Sequence, residues 1–125
     1  MADLLPLNDL PHDFAYPGGF IRVVELGLTN LEPWWILTGD ALRERYNGLA
    51  KRYPERTLVP FARRQDNDDV ACWDLADGTP TVDGAPTRVT VIHDFAGPGF
   101  EARENYDDFY AWFRQAVEDL IAFDL

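Results

Sequence analysis

The stretch that most constrains this chain runs from Leu58 to Trp73 and reads LVPFARRQDNDDVACW. Two apolar runs, Leu58–Ala62 and Val70–Leu75, flank a polar segment, Arg63–Asp69. Short runs rich in β-branched and aromatic residues, bounded by turn formers, read as strands. A connection this short returns the chain beside itself, so the two strands pair antiparallel. Asp and Asn suit the turn because their side chains bond their own backbone. Asp66-Asn67-Asp68-Asp69 has a second reading, a calcium loop. That loop needs an oxygen ligand at position 5, Gly at 6 and Glu at 12. Counted from Asp66, those positions hold Val70, Ala71 and Asp77. The segment is therefore read as a hairpin turn with an acidic tip.

The other elements follow from spacing. Residues 1–19 are rich in Pro, Asp and Gly, and form an irregular arm that ends in a turn at Tyr16-Pro17-Gly18-Gly19. Leu4, Leu5, Leu7 and Leu10 give it an apolar side to pack on the body. Phe20–Leu26 fits a buried helical turn better than a strand, with Gly27 ending it. Trp34–Leu37 is bulky and strand-prone, and is read as the first strand. Thr38-Gly39-Asp40 offers an N-cap, and Leu42, Tyr46, Leu49, Ala50 and Tyr53 follow at helical spacing, predicting a helix over 40–53 with its arginines toward solvent. Pro54 stops it. Asp77–Gly84, DGTPTVDG, holds two turn signals. In Thr87–Phe95, Val89, Val91 and His93 alternate with Thr90, Ile92 and Asp94, the pattern of a strand. Gly97-Pro98-Gly99 breaks it. Over 105–123, Phe109, Trp112, Phe113, Ala116, Val117, Leu120 and Ile121 form an apolar helical stripe, read as core, with Asn105 able to cap it. Hairpin-length links make the sheet mainly antiparallel. The predicted class is α+β: one domain over 1–125, a sheet packed by helices, and a long amphipathic C-terminal helix.

The charge is strongly acidic, with a formal net of −11. It argues against nucleic acid, whose affinity rests largely on neutralised phosphates, and against anionic membranes. It permits a basic protein partner steered in by the field; it also reads simply as a device for solubility. The sign is uneven. Residues 40–64 carry seven basic and three acidic residues, and residues 65–125 carry fourteen acidic and three basic. This predicts a mildly basic face beside an acidic remainder. One cysteine, Cys72, precludes an intramolecular disulfide. The N-terminal sequence lacks a basic region, and no apolar run approaches the roughly 20 residues that span a bilayer, so the default expectation is a cytoplasmic protein.

Motifs for chemistry are sparse. His93-Asp94 with Cys72 could form a small hydrolase site, but no third orienting group accompanies them, and the other histidine, His12, sits in the arm. Too few nitrogen and sulfur ligands exist for a zinc site, and Gly97-Pro98-Gly99 lacks the Lys and Ser/Thr of a phosphate loop. No cofactor is expected. Of Trp34 and Trp35, adjacent on a strand, one faces the core and the other can anchor a partner.

Three segments together resemble the SMI1/KNR4 family, also called the SUKH superfamily. Phe20–Leu28 followed by Trp35-Ile36-Leu37 resembles its N-terminal helix and first strand. Leu58–Ala62, a polar turn and Val70–Asp74 resemble its central hairpin. Val89–Asp94, a turn, and Tyr106–Phe109 with Trp112 resemble its late strand and last helix. The resemblance covers roughly residues 14–122; the hairpin turn, glycine-bearing in much of the family, is here more acidic. It implies an α+β domain without a shared active site. Bacterial members are commonly immunity proteins that neutralise polymorphic toxins, and fungal members are regulatory scaffolds. The reading is a non-catalytic binding module for a cognate toxin or other basic protein. The alternatives are a scaffold with an endogenous partner, and the hydrolase of His93, Asp94 and Cys72. The candidate partner-binding residues are Asp66, Asp68 and Asp69 at the tip, Glu101, Glu104, Asp107 and Asp108 near the last helix, and Trp34.

Overall fold

The first helix shows how local chemistry sets an element boundary. α1, Gly18–Glu25, follows Pro17 and buries Phe20, Val23 and Val24. It closes on Gly27, whose φ of 77° suits glycine. The Gly27 N–H donates to the Val24 carbonyl at 2.9 Å and the Leu28 N–H to that of Val23 at 3.1 Å, the paired bonds of a Schellman ending. The computed structural model describes residues 3–11, 14–75 and 88–123.

Beyond α1 the order is β1 (Asn30–Leu31), β2 (Trp34–Ile36), α2 (Gly39–Arg52), β3 (Leu58–Arg64), β4 (Asp69–Asp74), β5 (Val89–His93), β6 (Ala102–Tyr106) and α3 (Phe109–Phe123). The strands form a six-stranded sheet in sequence order, every neighbouring pair antiparallel. This is the α+β fold expected, with its central hairpin and long C-terminal helix.

Both faces of the sheet are covered, which is why β3 and β4 read as apolar runs rather than alternating ones. On one face Trp34, Ile36, Val59, Phe61, Trp73, Val89 and Val91 meet Phe20 of α1 and Phe109, Trp112 and Ala116 of α3, with Leu5, Leu10 and Phe14 of the arm. On the other, Leu58, Val70, Cys72 and Ile92 meet Leu49 and Tyr53 of α2. The register shifts between Pro60 and Ala62, so Phe61 is an extra residue in its strand. Its ring sits 4.4 Å from that of Trp73 and 4.8 Å from that of Trp112. Truncating such rings costs about 3–5 kcal/mol each.

Several expectations need correction. β6 has the sequence ARENY and was not expected, its last two residues, Asn105 and Tyr106, falling at the predicted start of the last helix; it is an edge strand exposed along most of its length, so it carries no apolar alternation. α3 therefore begins at Phe109, and Asp108 rather than Asn105 caps it, accepting the Ala111 N–H at 2.8 Å. Asn105 instead accepts from the buried Thr90 hydroxyl at 3.0 Å. The apolar stripe of α3 is core over its first half only: Leu120 and Ile121 are exposed, Ile121 at 58%. β1 was not expected; at two residues it is too short to show a pattern. Thr38 occupies the cap position of α2 without a side-chain cap bond. The turn signals of Asp77–Gly84 lie outside the described residues.

The arginines of α2 were expected to point into solvent, and two of them turn half-buried toward the sheet instead. Arg45 and Arg52 are seven residues apart with Leu49 between them, so all three share the helix face turned to the sheet. Both reach Asp94, which is fully buried. The mildly basic face predicted from residues 40–64 is thus partly consumed by internal pairs.

Candidate functional site

The hairpin tip is built as its sequence required. Asn67 Oδ1 accepts the Asp69 N–H at 2.8 Å, an Asx turn that leaves Asp66 and Asp68 exposed. Asp66 is gripped by Arg64 through two bonds, from Nε at 2.8 Å and Nη2 at 2.9 Å, and Arg64 also lies 3.6 Å from Asp119 of α3. The Arg64 guanidinium beside Asp66 holds that carboxyl below the usual range. Asp69 faces His93, its directly paired neighbour on β5, with Oδ1 and Nδ1 3.0 Å apart.

A cavity of about 100 Å³ opens between the tip, β6 and α3. Asp69, Glu104, Asp119, Arg64, Tyr106 and Trp34 line it. Two candidates distant in sequence, Asp69 and Glu104, thus come to one place, joined by Asp119, which the sequence reading did not single out. The Tyr106 hydroxyl donates to Glu104, and burial, then that carboxylate, push the phenol upward.

The remaining candidates separate. Asp107 and Asp108 follow the end of β6 that pairs Tyr106 with Val89, whereas the tip adjoins the end of β5 that pairs His93 with Asp69. They are exposed, but belong to the far end of the ladder, where Asp108 is a helix cap. Glu101 is corrected outright: it is buried, accepting from Arg56 Nε at 2.6 Å and from the Gly99 N–H at 2.7 Å. Burial would raise its pKa, but its backbone and Arg56 hydrogen bonds outweigh that and hold it below its ordinary value. Trp34 is corrected too. It is the inward member of its pair, 4% exposed against 37% for Trp35, and packs edge-on against Trp112. Its Nε1 donates to Asp119 at 3.0 Å, so it braces the acidic cavity from beneath rather than anchoring a partner.

The sequence reading noted Asp94 as half of a His-Asp pair and missed its partners. Arg45 Nη1 lies 2.7 Å from Oδ2, Arg52 donates from Nε and Nη2 at 2.6 Å each, and the Phe95 N–H donates at 2.8 Å. Burial pushes the Asp94 carboxyl up; the bonds from Arg52, Arg45 and Phe95 more than offset this and leave it below the ordinary value. The spacing of Arg45, Leu49 and Arg52 was the available signal. With Arg56 holding Glu101 and Asp74, these arginines fasten the β5–β6 connection to α2.

His93, Asp94 and Cys72 do not converge. His93 shares a sheet face with Asp69 and Val91, whereas Cys72 packs with Val70 and Ile92 on the opposite face. Asp94 is engaged by Arg45 and Arg52. Burial pushes the Cys72 thiol up, away from the reactive thiolate. Among the described residues no group of three or more His, Cys, Asp or Glu is arranged to hold a metal ion, and no helix is long and apolar enough to cross a membrane.

Comparison with known proteins finds no matching family model, no matching curated protein and no matching solved structure.

Proposed function

We propose that this chain is a non-catalytic protein-binding module, and specifically an immunity protein that neutralises a cognate toxin by covering a basic surface on it. The observation that carries the proposal is the acidic end of the sheet. Asp66, Asp68, Asp69, Glu104 and Asp119 are displayed there against the guanidinium of Arg64. Such a field speeds the encounter with a positively charged partner and disfavours nucleic acid and anionic membranes. The resemblance to the SMI1/KNR4 family supports the same reading. The active part of the surface is then the tip and β6, with Trp34 and Glu101 supporting from inside.

The test uses the tagged protein and a double variant, Asp66→Lys with Asp68→Lys, in parallel capture from the source cell with a rising salt gradient. The expected result is one stoichiometric basic protein held by the parent, released as salt rises, and lost from the variant. Rescue of the cell from that protein's toxicity by the parent alone completes the test. Equal retention by both forms removes the tip from the interface, and capture of housekeeping proteins alone favours a scaffold.

A further inference from the structure

On the face opposite the acidic cavity the protein carries a pocket of the other sign. Its volume is about 350 Å³, and Arg45, Arg52, Arg63, Phe95, Leu37 and Glu44 line it. Volumes of about 300–1,000 Å³ are typical of ligand pockets. The guanidinium groups of Arg45 and Arg52 are already satisfied in charge by Asp94. Arg63 is not. No carboxylate pairs with it among the described residues, and its Nε is buried without an acceptor. The other such side-chain atom among the described residues, Trp73 Nε1, belongs to a neutral ring enclosed by the aromatic core. Arg63 is a charge at the wall of an open cavity. Its Nε is buried while the residue as a whole is half-buried at the cavity wall; a buried donor with no acceptor is costly, and native proteins rarely keep one.

We propose that this pocket binds an oxyanion, a carboxylate or a phosphate, with Arg63 as its main donor. The walls are held ready for it. The Arg63 guanidinium lies over the Trp35 ring, 5.5 Å from its centre, a cation–π contact that helps to position it. Phe95 adopts a φ of 70°, uncommon for a residue with a side chain. It is locked there by its N–H bond to Asp94 and by the Arg52 guanidinium, 4.1 Å from its ring centre, although the side chain is 63% exposed. Leu37 and Phe95 supply apolar walls that strengthen any charge-assisted bond formed between them. The planar fork of an arginine matches the two oxygens of a carboxylate or phosphate. This site does not depend on the acidic-surface reading, because it lies on the other side of the sheet and has the opposite charge.

The test is a titration of the intact protein at constant ionic strength, read by the Arg63 Nε–H resonance in heteronuclear NMR. One arm uses inorganic phosphate. The other uses a capped tripeptide with one glutamate, to stand for a carboxylate presented by a partner protein. Saturable shifts with a Kd of about 1–10 mM are expected, in the range of weak single-group recognition. Tighter binding of phosphate identifies a free oxyanion as the occupant, and tighter binding of the peptide identifies a protein carboxylate. Arg63→Gln should weaken binding at least about tenfold, since it removes a charge-assisted fork. Arg63→Lys should recover part of the affinity, and Arg64→Gln should leave it unchanged. The absence of saturation in both arms up to about 100 mM, or binding that survives Arg63→Gln, overturns the proposal. The first titration is made on the unaltered protein, so its outcome rests on no variant's folding.

Discussion

Asp94→Asn tests whether the clamp between the β5–β6 connection and α2 matters to stability. Asn keeps the shape of the carboxylate but removes its charge and one acceptor. Two guanidinium groups bind Asp94 at 2.6–2.7 Å, and hydrogen bonds to charged groups contribute about 1.5–3 kcal/mol each. Removing one partner of a buried pair costs about 3–5 kcal/mol when the other charge is trapped. Here the arginine side chains retain 16% and 30% exposure and can recover some water, so the cost falls to the bottom of that range or just below it. The expected loss is about 2–3 kcal/mol. Unfolding entropy of about 2.1 cal/mol/K per residue makes each kcal/mol worth roughly 4 °C at this chain length, so Tm should fall by about 8–12 °C at pH 7. The sign with pH follows from the direction of the Asp94 shift. Its folded pKa is lowered, so its contribution is fully present above the unfolded value near 4 and is lost as pH falls through the folded value. Melts of parent and variant by circular dichroism should therefore differ widely at pH 7 and converge as pH drops below about 4. A Tm difference under about 2 °C at pH 7, or a gap that does not narrow in acid, refutes the reasoning.

The two halves of α3 should respond differently to truncation. Trp112→Ala removes a buried ring and should cost about 3–5 kcal/mol in urea unfolding, whereas Ile121→Ala, at an exposed site, should stay within about 0.5 kcal/mol. Asp108→Ala deletes the cap of α3 and should cost about 1 kcal/mol by the same assay, with Asp108→Asn recovering most of it. Cys72 is fully buried with its thiol pushed up, so a thiol reagent should modify it only at the rate of opening and rapidly once urea unfolds the chain; immediate modification of the native protein contradicts its placement.

Much of the fold could be read from local rules. The hairpin at 58–73 followed from two apolar runs and an Asx-rich turn, and α1 and α2 followed from periodicity bounded by Gly27 and Pro54. The misses share a cause. β6 is polar because it is an exposed edge, and an edge strand has no buried face to impose a pattern. The stripe of α3 was overestimated because periodicity tells which residues share a face, not how far the sheet extends beneath it.

The candidate site divides the same way. Sequence sufficed for the acidic tip, since turn chemistry places Asp66 and Asp68 at the surface wherever that hairpin forms. Which tryptophan faced inward was open to it, because the period of two assigns opposite faces without naming the buried one. Packing of α3 against β2 settled that in favour of Trp34. Pairings such as Arg45 and Arg52 with Asp94, or Asp69 with Glu104 across one cavity, join residues 35–49 positions apart. Charges that far apart along the chain carry no local signal of each other. Their meeting depends on strand order and on the face each helix turns to the sheet, which only long-range burial fixes.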